Sequence, residues 1–445
     1  MLRILNKKLL SKSMWRNSVL EILEEGLRAA DPKKSVAEAL EGITSEIKAA
    51  ERVFVIGFGK ASVSMAEACE ERMGERVFDG AIIIPENVDA GSLRRIRVFK
   101  GTHPTPSEAS VESTRRLIST CQGLTRRDLV ICLISGGGSS LLTLPAEGVT
   151  LEEKKVTTDI LLKSGAEIKE INTVRKHISS VKGGQLINFL KPAKVVSLIL
   201  SDIVGDPVEY IASGPTSPDS STFKDAYNII LKYDLTGKLP GRVIERLERG
   251  IRGEAPETPK PGDEIFNNVK NIIVSNNMKS LTAMEKKACE LGYNTLVLTS
   301  FSQGEAREVG RFLCAVIKQI ATYDSPVKKP ACLIVGGETT VTVKGRGKGG
   351  RNQELTLSIL TNCSSLRNFV FASIGSDGID GYTDAAGAIA DFSTLENACN
   401  KGLNPEVFLE DNDSYNFFKQ MGDLIFTGPT GTNVNDFTLA VIYHQ

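Results

Sequence analysis

Short apolar runs and segments with helical periodicity alternate along the first half of the chain. Five segments between residues 51 and 202 contain runs rich in Val, Ile and Leu: ERVFVIGFGK, FDGAIIIPE, IRVFKGTHPTP, DLVICLIS and KVVSLILSD. Runs that are apolar throughout predict strands buried on both faces, because a half-exposed strand would alternate apolar with polar positions. With helical segments between them, these runs predict a largely parallel, doubly wound sheet.

A second alternating series follows a segment in which prolines are mixed with charged residues, GEAPETPKPGDE at 253–264. Such a composition is typical of a linker. The strands predicted beyond it are NIIVS, NTLVLT, ACLIV, TTVTV and FVFASIG, and the predicted helices span 277–290, 304–323 and 351–360.

These patterns predict an α/β protein of two domains. Residues 1–15 form an N-terminal extension, 16–252 an N-terminal Rossmann-like domain, 253–263 a linker, and 264–445 a second α/β domain. A chain of 445 residues exceeds one ordinary hydrophobic core, which agrees with two domains.

The charge balance removes several classes of function. Lys and Arg number 54 and Asp and Glu also number 54, so no net charge attracts nucleic acid or a membrane surface. Apolar runs are too short to span a bilayer. With three histidines and no HExxH pattern, a zinc site is not expected.

Cysteine usage and the N-terminus bear on the compartment. None of the eight cysteines is paired at C-x-x-C spacing, so we expect small buried thiols and a cytoplasmic protein. Five basic residues precede the first acid, Glu21. A mitochondrial transit segment is the alternative interpretation of this N-terminus.

The loop LISGGGSSLL, residues 133–142, ends a predicted buried strand with three glycines and two serines. Bare N–H groups and hydroxyls at the carboxyl end of a strand favour anion binding. The alternative is a tight turn in solvent. An earlier strand ends similarly at VFVIGFGKAS, where Lys60 opens a helix; a lysine at that end of a helix is unfavourable unless an anion accompanies it.

The segment INTVRKHISSVKGGQ, 171–185, is interpreted as a helix with an apolar stripe and an adjacent basic arc. The arc consists of Asn172, Arg175, Lys176, Ser179 and Lys182. It contains no acid, although a solvated basic face remains an equal alternative.

Two strand ends carry carboxylates. Asp202 follows VVSLIL, and Asp377, Asp380 and Asp384 follow FVFASIG. Such carboxylates are turn caps, bases or ligands of a hard cation, and Mg²⁺ shared with phosphate fits the spacing better than calcium. For Asp380 and Asp384 the capping role is the stronger interpretation.

A glycine-rich segment, GGETTVTVKGRGKGGRNQE at 336–354, contains the spacing GxGxxG at Gly345, Gly347 and Gly350. The spacing alone would suggest a dinucleotide enzyme. However, the preceding TTVTV alternates, and three cations at 346, 348 and 351 suit a polyphosphate better. Together the loops supply what phosphoryl transfer needs, in a cleft between the two domains.

At these motifs the chain resembles the class II glycerate kinases, a family with an N-terminal α/β domain and a C-terminal MOFRL domain. The motifs are GFGKAS, THPTP, SGGGSSLL, NTVRKHIS, SDIVGDP, GGET, GGRNQE, GSDGIDG and TGPTGTNVND, in the family's order from about residue 16 to the end. The resemblance implies a kinase that uses ATP and Mg²⁺ to phosphorylate D-glycerate, at the 2-hydroxyl in many members, giving 2-phosphoglycerate.

The resemblance also implies roles for particular residues. It implies active-site roles for Lys60, Asp202, Arg351 and Asp377. Because hard cations prefer carboxylate oxygen, Asp377 is the predicted metal ligand, with Asp380 and Asp384 as weaker candidates. The predicted substrate or phosphate ligands are Gly57, Gly59, Ser135, Gly136, Gly137, Gly138, Ser139, Ser140, Arg175, Lys176 and Lys182. The predicted nucleotide ligands are Gly337, Glu338, Thr339, Gly347, Gly349, Gly350 and Asn352.

Two other functions stay open at this point. One is an NAD(P)-dependent hydroxypyruvate reductase, because some relatives carry that label; the other is a non-catalytic sensor of a sugar acid. We expect D-glycerate and ATP as small-molecule partners, with neither nucleic acid nor membrane, and a homodimer as the candidate assembly.

Overall fold

The computed structural model describes residues 2–444, so the outermost residues of the predicted extension and second domain, Met1 and Gln445, lie outside it. The chain forms two compact units. The first unit comprises Pro32–Ser201 and Asp206–Val274. The second unit comprises the residues up to Asp31, the short segment Asp202–Gly205, and the residues from Ser275 onward.

The first six strands of the chain form one sheet in the order β3-β2-β1-β4-β5-β6. They are β1 (Val53–Phe58), β2 (Val77–Pro85), β3 (Ile96–Gly101), β4 (Leu129–Ile134), β5 (Lys194–Leu200) and β6 (Val269–Ser275). The pairs among the first five strands are parallel. Every residue of β1 and β4 is buried, which confirms the prediction of a doubly wound, largely parallel sheet.

Helices cover the connections between these strands. In chain order the helices up to residue 251 are α1 (Lys7–Leu10), α2 (Met14–Ala29), α3 (Pro32–Gly42), α4 (Thr44–Ala49), α5 (Ser62–Met73), α6 (Glu108–Thr120), α7 (Gly138–Leu141), α8 (Leu151–Lys163), α9 (Ile168–His177), α10 (Ile187–Leu190), α11 (Phe223–Lys232) and α12 (Gly241–Ile251). Helix α8 begins with a reciprocal capping box, in which the Thr150 side chain accepts from the Glu153 amide.

The second unit contains a mixed sheet in the order β11-β10-β9-β12-β8-β7. Its strands are β7 (Asn294–Ser302), β8 (Ala331–Gly337), β9 (Phe369–Gly375), β10 (Gly387–Asp391), β11 (Leu424–Ile425) and β12 (Asp436–Ile442). Only β7 and β8 pair in parallel; the other neighbours are antiparallel. The remaining helices are α13 (Asn277–Glu290), α14 (Ala306–Tyr323), α15 (Arg351–Asn362), α16 (Phe392–Asn400), α17 (Pro405–Glu410) and α18 (Ser414–Met421).

The predicted strand TTVTV, residues 339–343, is not a strand in the structure. The segment bonds to the loop after β7: the Thr340 amide donates to the Gly304 carbonyl at 2.8 Å, and the Ala306 amide donates to the Thr340 carbonyl at 2.8 Å. These bonds form one isolated bridge, between Thr340 and Glu305, and do not extend into a strand. The prediction of a strand at this position was wrong.

The N-terminal residues pack as part of the second unit rather than as an extension. Leu10 is fully buried, and the Leu5 amide donates to the Phe426 carbonyl at 2.7 Å. The buried guanidinium of Arg16 bonds to Asp391 at 2.6 Å and to Asp423 at 2.7 Å. Burial raises the pKa of Asp391, but the hydrogen bond and charge of Arg16 outweigh it and leave that pKa below its ordinary value.

The compact units therefore divide the chain differently from the predicted domains. Residues 16–31 group with the second sheet, and the predicted linker at 253–263 lies within the first unit. The expectation of eight unpaired buried cysteines is also corrected: Cys314 and Cys363 form a disulfide between α14 and α15, and Cys289 and Cys399 are exposed. No helix among residues 2–444 is long and apolar enough to cross a membrane.

Replacing Arg16 tests whether the N-terminal segment stabilises the second unit. Arg16→Met leaves Asp391 and Asp423 buried without this partner, so we expect the free energy of unfolding to fall by about 3–5 kcal/mol. Trp15 is the only tryptophan in the chain and stacks on Tyr443, so its fluorescence during urea denaturation reports the unfolding of this unit.

The matched control is Arg28→Met on the same helix, whose partly exposed side chain pairs with Glu24 and Glu25. We expect this control to cost less than about 1 kcal/mol. Equal losses in the two variants would show that the Arg16 network has no special role.

Candidate active site

The loops that follow β1 and β4 bind each other closely. The Lys60 amide donates to the Gly136 carbonyl at 2.9 Å, and the Ala61 amide donates to the Ser135 hydroxyl at 3.1 Å. Gly59 has φ +130°, and a Cβ there would lie 2.6 Å from the Ser135 carbonyl oxygen. The contact therefore requires glycine at this position, and it places Lys60 beside the glycine loop.

Glycines of the second loop allow further close contacts. A Cβ on Gly137 would lie 2.9 Å from Cδ2 of His103 and 3.3 Å from Cγ of Lys60. A Cβ on Gly138 would lie 2.9 Å from the Phe58 ring. These glycines thus have a packing reason in addition to the predicted anion binding, and the side chains of Lys60 and His103 both lie next to Gly137.

Ser139 collects several donors at the end of the same loop. Its hydroxyl accepts from Arg175 at 2.7 Å and from Lys182 at 3.1 Å. The Ser213 hydroxyl lies 2.8 Å from it and itself donates to Asn172 at 3.1 Å, so the Ser139 hydroxyl hydrogen points to Ser213.

The basic arc predicted on one helix is only partly retained. Helix α9 ends at His177, so Ser179 and Lys182 lie in the turns that follow it and not on the predicted helical wheel. Lys176 turns away from Ser139 and pairs with buried Asp219 at 3.1 Å. Of the arc, Arg175 and Lys182 meet at Ser139, with Asn172 linked through Ser213, while the charge of Lys176 is compensated within the protein.

In the second unit, the first residue of α15 anchors a group of acids. Nε of Arg351 donates to one carboxylate oxygen of Asp436 at 2.6 Å, and Nη2 donates to the other at 2.9 Å. The same Nη2 lies 3.3 Å from Oε1 of Glu338. Burial raises the pKa of Glu338, the charge of Arg351 lowers it, and the charge of Asp436 raises it again. The net result is a raised pKa for Glu338. Burial also raises the pKa of Asp436.

Asp202 and Asp377 belong to the same acidic environment. The Asn435 side chain donates to the Asp202 carbonyl at 2.9 Å and to the Glu338 carboxylate at 3.1 Å. Both Asp202 and Asp377 contribute to the raised pKa of Glu338. The carboxylates of Asp202, Glu338, Asp377 and Asp436 therefore outnumber the single guanidinium of Arg351 in this group.

This excess of carboxylates fits a divalent cation. Among residues 2–444 no set of three ligand side chains is preassembled around a metal position. Mg²⁺ needs only one or two carboxylates, because water and phosphate oxygens complete its octahedron. Asp377 and Glu338 are the side chains that could hold it.

The two weaker metal candidates already have partners. Asp380 is fully buried and accepts from the amides of Asn352 at 3.0 Å and Gln353 at 2.8 Å, which caps α15. Burial raises the pKa of Asp380 to about 6. Asp384 accepts from the Tyr415 hydroxyl at 2.7 Å. Both carboxylates thus have a structural use, in agreement with the capping interpretation.

The glycine-rich loop before α15 is bound to the segment between α17 and α18. The amides of Lys344 and Gly345 donate to the Asn412 side chain, and those of Arg346, Gly347 and Lys348 donate to Asp411 and Asp413. A Cβ on Gly347 or Gly349 would overlap Asp413 or Ser414. Glycine is required here for packing, and these five amides are not available to a phosphate in this arrangement.

Other predicted nucleotide residues do surround an open space. A cavity of about 680 Å³ is lined by Glu338, Thr339, Gly347, Gly349, Gly350 and Arg351, together with Val343 and the fully exposed Tyr382. Its volume lies within the range of small-molecule sites. Asn352 is buried and bonded to Asp380 and Ser373, so its side chain does not line this cavity. Gly337 lies at the end of β8 and likewise does not line it.

Comparison with known proteins agrees with these motifs. Residues 18–248 match a family described as a domain of unknown function, DUF4147, and residues 331–436 match the MOFRL family. The glycerate 2-kinase of Pyrococcus horikoshii is 43% identical over 95% of this chain and 96% of its own length. The chain belongs to the class II glycerate kinase family.

Two more members of this family bear on fold and function. The crystal structure of a glycerate kinase from Thermotoga maritima superposes with a TM-score of 0.88 at 41% identity, covering 98% of this chain and 99% of that one. A protein of Agrobacterium vitis that carries the unproven name hydroxypyruvate reductase is 37% identical over 96% of this chain and 94% of its own length. Members of this family thus carry the names of two different enzymatic activities.

Three residues of this glycerate kinase family member were not found by sequence reasoning. Asp436 ends the motif TGPTGTNVND but was not singled out, although its partner Arg351 was. His103 lies in the motif THPTP and contacts the glycine loop. Lys154 lies near Arg175 and Lys182, and the sequence around it shows only an ordinary amphipathic helix.

Proposed function

We propose that this protein is an ATP- and Mg²⁺-dependent kinase that phosphorylates D-glycerate at its 2-hydroxyl group, giving 2-phosphoglycerate and ADP. The observation that carries the proposal is the 43% identity with the Pyrococcus glycerate 2-kinase over nearly the full length of both chains. The geometry of each unit supports it.

The first unit supplies groups suited to a small anionic substrate. Lys60 lies beside the glycine loop, and Ser139, Arg175 and Lys182 form a hydrogen-bonded group at the end of that loop. We propose that Lys60 stabilises the charge on the transferred phosphoryl group, since that charge spreads over three oxygens during transfer.

The second unit supplies groups suited to a nucleotide. Arg351 lines the 680 Å³ cavity and offers a second cation for phosphate oxygens. Asp377, with Glu338, would hold Mg²⁺, which neutralises polyphosphate charge when bound. The 2-hydroxyl oxygen attacks the γ-phosphorus, the bond to the β–γ bridging oxygen breaks, and we propose that Asp202 receives or orients the hydroxyl proton.

A hydroxypyruvate reductase is the second candidate, because the Agrobacterium relative carries that name. The structure offers little support for it, since the amides of the GxGxxG loop are used by residues 411–413. A nicotinamide pyrophosphate would need such amides.

Phosphorus NMR of the reaction products tests the proposal directly. We expect ATP, Mg²⁺ and D-glycerate to yield ADP and 2-phosphoglycerate with the purified protein. The control replaces ATP with NADH and D-glycerate with hydroxypyruvate. Oxidation of NADH without any consumption of ATP would overturn the kinase proposal in favour of the reductase.

Substitution of the two cations tests their proposed roles. Lys60→Ala and Arg351→Ala should each lower kcat/KM by about two orders of magnitude or more, as expected when a charge partner of the transition state is removed. Exposed cations of each unit serve as controls, Lys163→Ala and Arg311→Ala.

Arg351→Ala also leaves Asp436 buried without its partner, so thermal stability is measured in parallel. Arg351→Lys keeps the charge but not the bidentate bond, and it should recover part of the stability. Wild-type rates in Lys60→Ala would assign that lysine a surface role.

Substitutions of the two proposed active-site carboxylates, Asp202 and Asp377, should change the kinetics in different ways. Asp202→Asn removes the proton acceptor, so kcat should fall by about 10²–10⁴-fold while the Mg²⁺ concentration giving half-maximal rate stays unchanged. Asp377→Asn weakens a metal ligand, so that Mg²⁺ concentration should rise. Rates measured across an Mg²⁺ titration check both, and an identical titration curve for Asp377→Asn would remove it from the metal site.

A further inference from the structure

Three cationic side chains of the first unit converge next to Ser139. Lys182 donates to the Ser139 carbonyl at 2.7 Å, and Arg175 donates to the Ser139 hydroxyl at 2.7 Å. Lys154, on helix α8, donates to the Ile178 carbonyl at 3.3 Å. Lys154 and Lys182 are buried, with 3% and 0% of their surface exposed. We call Lys154, Arg175 and Lys182 the cationic cluster.

The cationic cluster has no acidic partner. Within residues 2–444, none of its three members forms an ion pair with a carboxylate, and Nε of Arg175 is buried without a hydrogen bond. By contrast, their neighbours Lys176 and His177 face Asp219 and Glu257 at 3.1 and 3.0 Å. Buried charges in proteins are normally paired or bind a ligand, so the cluster lacks an anion.

Electrostatics within the cluster agree with that conclusion. Burial lowers the pKa of Lys154 and of Lys182 well below the ordinary value, and the nearby charge of Arg175 lowers both further. Burial also lowers the pKa of Arg175 to about 10. An anion among these groups would offset both the repulsion and the loss of hydration.

The cluster faces an open cavity. A space of about 560 Å³ is lined by Ser139, Lys154 and Arg175, with Thr143, Thr158 and the loop 104–106 among its other walls. Two acids, Glu152 and Asp159, also line it, but they pair with Lys155 and Lys163 and not with the cationic cluster. A small anion can therefore reach Lys154 and the half-buried Arg175 from this side.

We propose that the cationic cluster holds the carboxylate of the acid substrate and that Lys154 is a specificity-determining residue for it; this rests on the proposed function as a kinase of a small hydroxy acid. Lys60 contacts the loop at Gly137 and Arg175 at Ser139, two residues further on. Two residues span at most about 7 Å, which is comparable to the length of a three-carbon acid. A carboxylate at Arg175 thus leaves the hydroxyl groups on the side of Lys60.

A bidentate guanidinium suits this choice of anion. Arg175 presents a planar fork that matches a carboxylate, and the two lysines add point charges without a fixed geometry. Phosphate would satisfy the same cations, so the experiment has to separate the two anions.

The test compares Lys154→Met with Lys163→Met, a control on the same helix whose exposed side chain pairs with Asp159. The thermal midpoint and the Kd for D-glycerate are measured without nucleotide. Removing an unpaired buried charge should leave the ligand-free midpoint of Lys154→Met equal to or above that of wild type. The same variant should lose the stabilisation by D-glycerate and bind it about tenfold or more weakly, as expected for a lost hydrogen bond between charged groups.

Further ligands distinguish the sources of the anion. The methyl ester of D-glycerate should not stabilise the wild-type protein, because it lacks the carboxylate charge. In steady-state assays, Lys154→Met should raise the KM for D-glycerate while the KM for ATP stays unchanged, and Lys163→Met should behave as wild type. If Lys154→Met loses affinity for inorganic phosphate but keeps it for D-glycerate, the cluster holds a phosphoryl group and the inference is overturned.

Failure of the inference can be told apart from failure of the proposed function. A wild-type protein that phosphorylates D-glycerate, together with a Lys154→Met variant of unchanged glycerate KM and Kd, refutes the inference alone. A wild-type protein that ignores D-glycerate but binds glycolate or lactate through Lys154 refutes the proposed substrate and supports the carboxylate site. A lower ligand-free midpoint with unchanged Kd would make Lys154 merely structural.

Discussion

Compensation of buried positive charge is the constraint on which both units depend. Arg16 is fully buried and bonds to Asp391 and Asp423, which ties the first helices of the chain to the second sheet. Arg351 is held in the same way by Asp436. Lys154 and Lys182 are also buried, but neither forms an ion pair with a carboxylate among residues 2–444. The paired cations stabilise the fold, whereas the unpaired ones are better explained by a ligand.

The elements that depended on local pattern could be predicted from the sequence. Every residue of β1 and β4 is buried, as their unbroken apolar runs required. The helix predicted at 277–290 is α13 with the same bounds, since Asn276 caps its first turn. The antiparallel pairing of β12 with β8 and β9, and of β11 with β10, could not be predicted, because these strands are brought together from distant positions in the sequence. The disulfide between Cys314 and Cys363 likewise depends on how α14 packs on α15.

The candidate site shows the same division between local and distant information. Sequence reasoning found the loops, because glycines at strand ends are a local signal. It could not find which way a side chain points. Lys176 and Lys182 belong to one predicted basic arc, yet Asp219 pairs with the first while the second reaches Ser139. The amides of the GxGxxG loop are likewise used by residues 411–413, about 65 positions further along the chain.

The two units carry opposite local charge, and this bears on the chemistry each can host. The first unit gathers Lys154, Arg175 and Lys182, none of which forms an ion pair with a carboxylate among residues 2–444, and this favours the binding of an anion without a metal ion. The second unit gathers Glu338 and Asp436 at Arg351, and burial, together with the charges of Asp436, Asp202 and Asp377, raises the pKa of Glu338. A polyphosphate would be repelled there by the same carboxylates. For the proposed kinase, a divalent cation bound with the nucleotide would offset this repulsion, so the local charges are consistent with the proposed use of Mg²⁺.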